Sequence, residues 1–169
     1  METKLEYHIT HGFKEQMVRY VKDHPEDFEE LIDLAISDRQ PYNWRGTWLM
    51  YSTMEENDFR VKNRIGQIIH CIPSKQPNHQ RELMRVLLKM KLTDEQEGEV
   101  FDLAMNNWER LGLKPAIRYI AFRTIIKIAR KYPELHEEVR LITQEHYLES
   151  LSSGIRNSIN RMIRQLDEI

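Results

Sequence analysis

Seven histidines, one cysteine and a cluster of serines are the residues of this sequence whose types could carry catalysis or hold a metal. Their spacing makes no such site. His8, His11, His24, His70, His79, His136 and His146 are scattered. None repeats at i, i+4 around a glutamate, the pattern that sets two imidazoles on one helical face about zinc. Cys71 stands alone, so it offers neither an internal disulfide nor a thiolate cluster, and a reducing cytoplasm fits. Its neighbours Ile69, His70 and Ile72 mark it as a small core residue. Ser150, Ser152 and Ser153 fall in a helix linker, where short hydroxyl side chains serve turns and caps. There is no G-x-S-x-G elbow, no P-loop and no G-x-G-x-x-G. No catalytic residue, metal or cofactor is therefore assigned.

The other chemistry open to the chain is ion pairing with a partner. The formal net charge is −2, so attraction to nucleic acid or to an anionic surface would have to come from a local patch. No apolar run approaches the ~20 residues that span a bilayer. The beginning, Met1-Glu2-Thr3-Lys4-Leu5-Glu6, has no hydrophobic signal core. A chain without a membrane span, working in the cytoplasm, is the expectation.

The elements that position these charges are helices. Ile65, Ile68, Ile69 and Ile72 form an i, i+3, i+4, i+7 stripe. Pro25, Pro41, Pro77, Pro115 and Pro133 each open a periodic stretch, where a missing N–H costs least. Asp94 and Ser153 suit N-caps. The pattern predicts helices over 12–22, 26–37, 41–54, 59–72, 77–91, 94–111, 115–131, 134–149 and 153–168, and no strand. The linkers are short, so neighbouring helices should run antiparallel.

The helices repeat. An apolar residue followed by arginine recurs early in alternate helices, at Trp44-Arg45, Ile117-Arg118 and Ile155-Arg156. His24-Pro25-Glu26-Asp27-Phe28-Glu29-Glu30-Leu31 is echoed at Tyr132-Pro133-Glu134-Leu135-His136-Glu137-Glu138-Val139. The offset of 108 residues is three periods of 36. Lys114-Pro115-Ala116-Ile117-Arg118-Tyr119-Ile120-Ala121 resembles the second helix of a HEAT repeat, Pro-x-(Val/Ile)-Arg-x-x-Ala. Pro41-Tyr42-Asn43-Trp44-Arg45 resembles it less fully, with Trp48 where a small residue belongs, and Gly154-Ile155-Arg156 lacks the proline. The resemblance to the HEAT/armadillo family covers about residues 25–168. It implies an all-α superhelix: one domain over 1–169, of about four helical hairpins behind an N-terminal capping helix at 12–22. It also implies a scaffold that binds rather than catalyses. Some HEAT-like proteins repair alkylated DNA, which implies nucleic-acid binding as an alternative. Short bacterial HEAT proteins, some labelled adenylosuccinate lyase, are similar too. Of the lyase loop Ser-Ser-x-Met-Pro-x-Lys-x-Asn-Pro, Ser152-Ser153-Gly154-Ile155-Arg156-Asn157 shares the two serines.

Charge separates the two sets of helices. Stretches 26–37, 94–111 and 134–149 carry −5, −5 and −4, whereas 77–91, 115–131 and 153–168 carry +3, +5 and +1. Stretch 59–72 departs from this rule with Arg60, Lys62 and Arg64. In a HEAT-like stack the second helices line the concave face, which implies a basic concave surface suited to an acidic protein or peptide. The candidate contact residues are Arg85, Lys89, Arg123, Lys127, Arg130 and Arg161, which project away from the apolar stripes. Arg118 falls inside its stripe. It is expected, with Arg45 and Arg156, to lock repeat to repeat, paired with a neighbouring acid. Trp44, Trp48 and Tyr51 share a helical face and are expected in the core, with Met50 and Met54 packing under the N-terminal helix. Trp108, Phe101 and Met105 read as core.

Overall fold

The computed structural model describes residues 1–168; Ile169 lies outside the described residues. The chain is all-α. It falls into two compact units, Met1–Leu92 and Thr93–Ile169.

The first unit opens with α1 (Lys4–His11) and α2 (Lys14–Asp23). The pattern reading began at 12, and α1 corrects it: the N-terminal cap is a pair of helices. The missed signal is a capping box, in which the Thr3 hydroxyl accepts from Glu6 N and the Glu6 carboxylate accepts from Thr3 N. Leu5 and Ile9 are fully buried one turn apart behind it. Gly12 joins the two helices, and a Cβ there would meet the His8 carbonyl oxygen at 2.6 Å, so only glycine fits.

α3 (Phe28–Ile36) follows a 3₁₀ turn and packs against α4 (Tyr42–Thr53). The linker between them is held from both sides. Arg39 reaches back to Glu6 at 2.6 Å, and the buried Lys75 reaches Ser37 O and Asp38 at 3.1 and 2.6 Å. The single helix expected over 59–72 is broken into α5 (Phe59–Lys62) and α6 (Ile65–Cys71). Asn63 and Arg64 leave helical geometry with ψ near zero, and the Arg64 guanidinium turns to Glu29 and Asp33 of α3. Of the three basic residues that broke the charge rule, Arg64 thus pairs with the acidic α3, while Arg60 binds Asp58. Cys71 is half-buried rather than in the core, and burial pushes its thiol up. α7 (Pro77–Leu88) runs parallel to α4: Thr47 meets His79, and further along Tyr51 meets Lys89.

The second unit contains α8 (Asp94–Glu109), capped by Thr93 through a box with Gln96, and α9 (Pro115–Ala129). The stretch 134–149 is not one helix. It is a 3₁₀ turn, α10 (His136–Leu141) and α11 (Glu145–Leu148), with the Thr143 hydroxyl bonded back to Val139 O. α12 (Ser153–Asp167) lies parallel to α9, with contacts from Tyr119 to Ser158 and from Arg130 to Gln165. Trp108 is fully buried, its indole N–H donating to Ile142 O at 2.8 Å.

Candidate functional site

One feature of the first unit that could hold a ligand is a cleft of about 950 Å³ at the start of α4 and α7, with α2 at its rim. Its apolar walls are Trp44 and Trp48. Trp44 was expected in the core and is 48% exposed; Trp48 and Tyr51 are half-buried. The reason is the phase of α4. Asn43, Gly46, Thr47, Leu49 and Met50 face inward, because Gly46 lets the α4 backbone close on Ala35 of α3. Met50 and Met54 are buried, as expected.

Charge in the cleft divides into paired and unpaired groups. Glu82 is buried and takes Arg81 at 2.7 Å and Arg85 at 2.9 Å. Asp38 is held by Lys75, which keeps its carboxyl below the ordinary range. Arg45 and Lys14 have no carboxylate among the described residues. Arg45 reaches Gly12 O at 3.4 Å and lies 5.9 Å from the Trp44 ring, and Lys14 lies 5.5 Å from the Trp48 ring. The start of α7 adds donors. No side chain caps it, and among the described residues the backbone N–H groups of Asn78 and His79 bond to nothing, while Gln80 N already bonds Gln76 O. Such free N–H groups attract negative charge.

His79 forms the floor. It is 4% exposed, and its Nε2 lies 2.8 Å from Ala35 O and 3.0 Å from the Thr47 hydroxyl. A carbonyl can only accept, so Nε2 carries the proton. Thr47 in turn donates to a carbonyl, with Asn43 O at 2.8 Å and Ala35 O at 3.1 Å. The pair has the separation of a nucleophile and its base, but Nε2 holds no lone pair to take the hydroxyl proton. Burial pushes the His79 pKa down, so the ring is neutral. Spacing alone leaves His79 among the scattered histidines, although it lies one turn before Leu83 on the apolar stripe of α7. An acceptor placed there was the available signal.

The residues expected to make contacts separate by unit. Arg85 stacks 3.9 Å from the Tyr51 ring as well as binding Glu82. Lys89 lies 4.2 Å from the same ring and donates to Tyr51 O and Met54 O, so both cations are engaged within the unit. In the second unit Arg123 and Arg161 are exposed and bond to no described residue, Arg130 reaches Gln165 at 3.3 Å, and Lys127 is half-buried. Of the locking arginines, Arg156 pairs with Glu145 at 2.6 Å. Arg118 corrects the expectation of an acidic partner. It is fully buried and bonds Trp108 O, Tyr147 O and the Ser150 hydroxyl. The recurring arginine slot therefore binds three different sets of partners in this one chain, since Arg45 reaches a backbone carbonyl.

Among the described residues no His, Cys, Asp or Glu group is placed to hold a metal ion, and no helix is long and apolar enough to cross a membrane. The family model for the HEAT repeat domain matches residues 1–166. No curated protein and no solved structure matches the chain.

Proposed function

We propose, because the chain belongs to the HEAT repeat domain family, that its work is binding and that the cleft of the first unit takes an acidic segment of another protein. HEAT repeats generally serve as protein-interaction scaffolds. The observation that carries the finer reading is the pair of unmatched cations, Arg45 and Lys14, each set beside an exposed or half-exposed indole at the mouth of the cleft. A carboxylate would find charge there that no described residue neutralises. An apolar neighbour on the ligand would cover Trp44 and Trp48. Catalysis draws no support from the site, since its hydroxyl–imidazole pair, Thr47 and His79, has its protons committed to carbonyls.

The test is a selection of random peptides on the wild type and on Arg45→Glu/Lys14→Glu, washed at low and high salt. Enrichment of Asp or Glu beside aromatic or aliphatic residues, lost in the double variant and weakened by salt, is the expected result. Selected peptides without acidic bias, or equally retained by the variant, would sink the reading. Duplex and single-stranded DNA run alongside; DNA that binds the wild type and not the variant would transfer the site to nucleic acid.

A further inference from the structure

We infer that His79 selects what enters the cleft, its Nδ1 accepting a backbone N–H from an extended peptide whose acidic side chain lies against the start of α7. This rests on the reading of the cleft as a peptide site and adds the chemistry of recognition.

The first support is the state of the ring. The Ala35 carbonyl fixes the proton on Nε2, which leaves Nδ1 a lone pair and no proton. Nδ1 has no hydrogen bond to any described residue. Among the described residues no fully buried side-chain nitrogen or oxygen is without a partner, so Nδ1 is not sealed off, and His79 lines the cleft. The rest of the side chain is locked, with Thr47 bracing Nε2 from α4. A fixed acceptor at the floor of a cationic cleft is a demand placed on the ligand.

The second support is the mixture of signs. The free N–H groups of Asn78 and His79, with Arg45 and Lys14, call for an anion. A bare carboxylate or phosphate meets that call but turns lone pairs toward Nδ1. The ligand must carry negative charge and, next to it, a hydrogen-bond donor. An extended peptide with Asp or Glu carries both within one residue: the side-chain carboxylate and a main-chain N–H.

The charged groups acting on the ring are Lys75 from the turn before α7, Glu82 from α7 and Asp38 from the α3–α4 linker, and the cleft it lines also holds Arg81 from α7, Arg45 from α4 and Lys14 from α2. Lys75 opposes a proton on His79, whereas Asp38 and Glu82, though already bonded to cations, favour one. Acidification that does protonate it would convert Nδ1 to a donor and expel the peptide N–H.

The test uses one probe, an N-acetylated, C-amidated hexapeptide alternating glutamate and leucine, with analogues N-methylated at each position in turn. Binding is read from the fluorescence of Trp44 and Trp48. In the wild type, methylation at one position should weaken binding about tenfold, the loss of one well-placed hydrogen bond, while most other positions change little. His79→Gln sets its amide nitrogen where Nε2 was and deletes the acceptor at Nδ1. The parent peptide should bind it about tenfold more weakly, and the sensitive methylation should cost nothing further. A ¹⁵N spectrum of the wild-type imidazole should show the Nδ1 signal moving on peptide addition, with Nε2 little changed. That reading does not depend on the variant's folding. Retained binding with no sensitive position, or with the same methylation penalty in His79→Gln, overturns the role of His79 and leaves the cleft reading intact. Failure of the parent peptide to bind the wild type overturns both.

Discussion

The guanidinium of Arg118 lies 4.4 Å from the centre of the Trp108 ring while its Nε–H donates to the carbonyl oxygen of that same residue at 2.9 Å. The arginine is thus stacked on, and bonded to, the last turn of α8. Its two remaining nitrogens draw Tyr147 of α11 and Ser150 of the linker before α12 onto the same point. Burial pushes its pKa down with no carboxylate to oppose the shift, so the hydrogen bonds and the ring face must offset the desolvation. Arg118→Met should lower unfolding free energy by about 3 kcal/mol, because two carbonyls and a hydroxyl lose their donors. Arg118→Lys, which cannot fork, should fall between. Urea unfolding checks this; a loss under ~1 kcal/mol for the methionine variant would mean water replaces the guanidinium.

Asp58 gives the first unit an acid-sensitive joint. Its carboxylate caps α5 and receives Arg60 through Nε at 3.0 Å and Nη2 at 2.7 Å, along with Glu55 N. Arg60 beside it lowers the carboxyl to about 2 from 3.8. The folded value lies below the unfolded one, so this stabilisation is full above pH ~4 and is lost as pH falls toward ~2; the whole is worth about 2 kcal/mol. Asp58→Asn should flatten the acid limb of a stability–pH curve. An unchanged limb would assign acid unfolding to other carboxylates such as Glu6.

His79 acts in a different window. Its pKa is pushed down by burial, so the unfolded chain takes up a proton first as pH falls through ~6.5. Stability conferred by the neutral ring is complete above that pH and declines below it. The melting temperature of wild type should therefore drop between neutral pH and pH ~5 more than that of His79→Gln. Parallel curves for the two would place the decline elsewhere.

Trp44 should matter for binding and little for folding. Because about half of the side chain is exposed, Trp44→Ala should change stability by no more than ~0.5 kcal/mol, while weakening the glutamate–leucine peptide several-fold. A large fall in melting temperature would return Trp44 to the packing role that its spacing suggested.

The two basic surfaces can be separated directly. Arg123→Glu/Arg161→Glu reverses exposed, unpartnered charge in the second unit. It should leave peptide affinity within about twofold of wild type, a difference of under ~0.5 kcal/mol. Arg45→Glu/Lys14→Glu should abolish binding. The opposite ranking would move the site to α9 and α12.

Helix spacing and the arginine repeat made the fold legible in the sequence, because apolar periodicity is set by burial and the structure obeys it over most helices. What escaped was decided by polar side chains acting at a distance. Nothing local to 59–72 shows that Arg64 will turn to Glu29 and Asp33 and break the helix. The site was less legible still. Counting basic residues found Arg85 and Lys89, but their value depends on Tyr51 and Glu82, which already engage them. The cations left over, Arg45 and Lys14, were read as a lock and as part of a cap. Availability of a charge is a property of its neighbours, and neighbours come from tertiary structure.

The linker between α3 and α4 has a consequence for how such a chain can change over generations. Five residues there carry Arg39, which grips α1 through Glu6, and Ser37 and Asp38, which Lys75 grips from the turn before α7. Deleting or inserting one residue would misalign both grips at once, whereas a substitution loosens only one. Length variation among descendants should therefore avoid 37–41 and collect in turns that clasp nothing on either side. Anyone transplanting this hairpin into another array would have to carry residues 6 and 75 along with it.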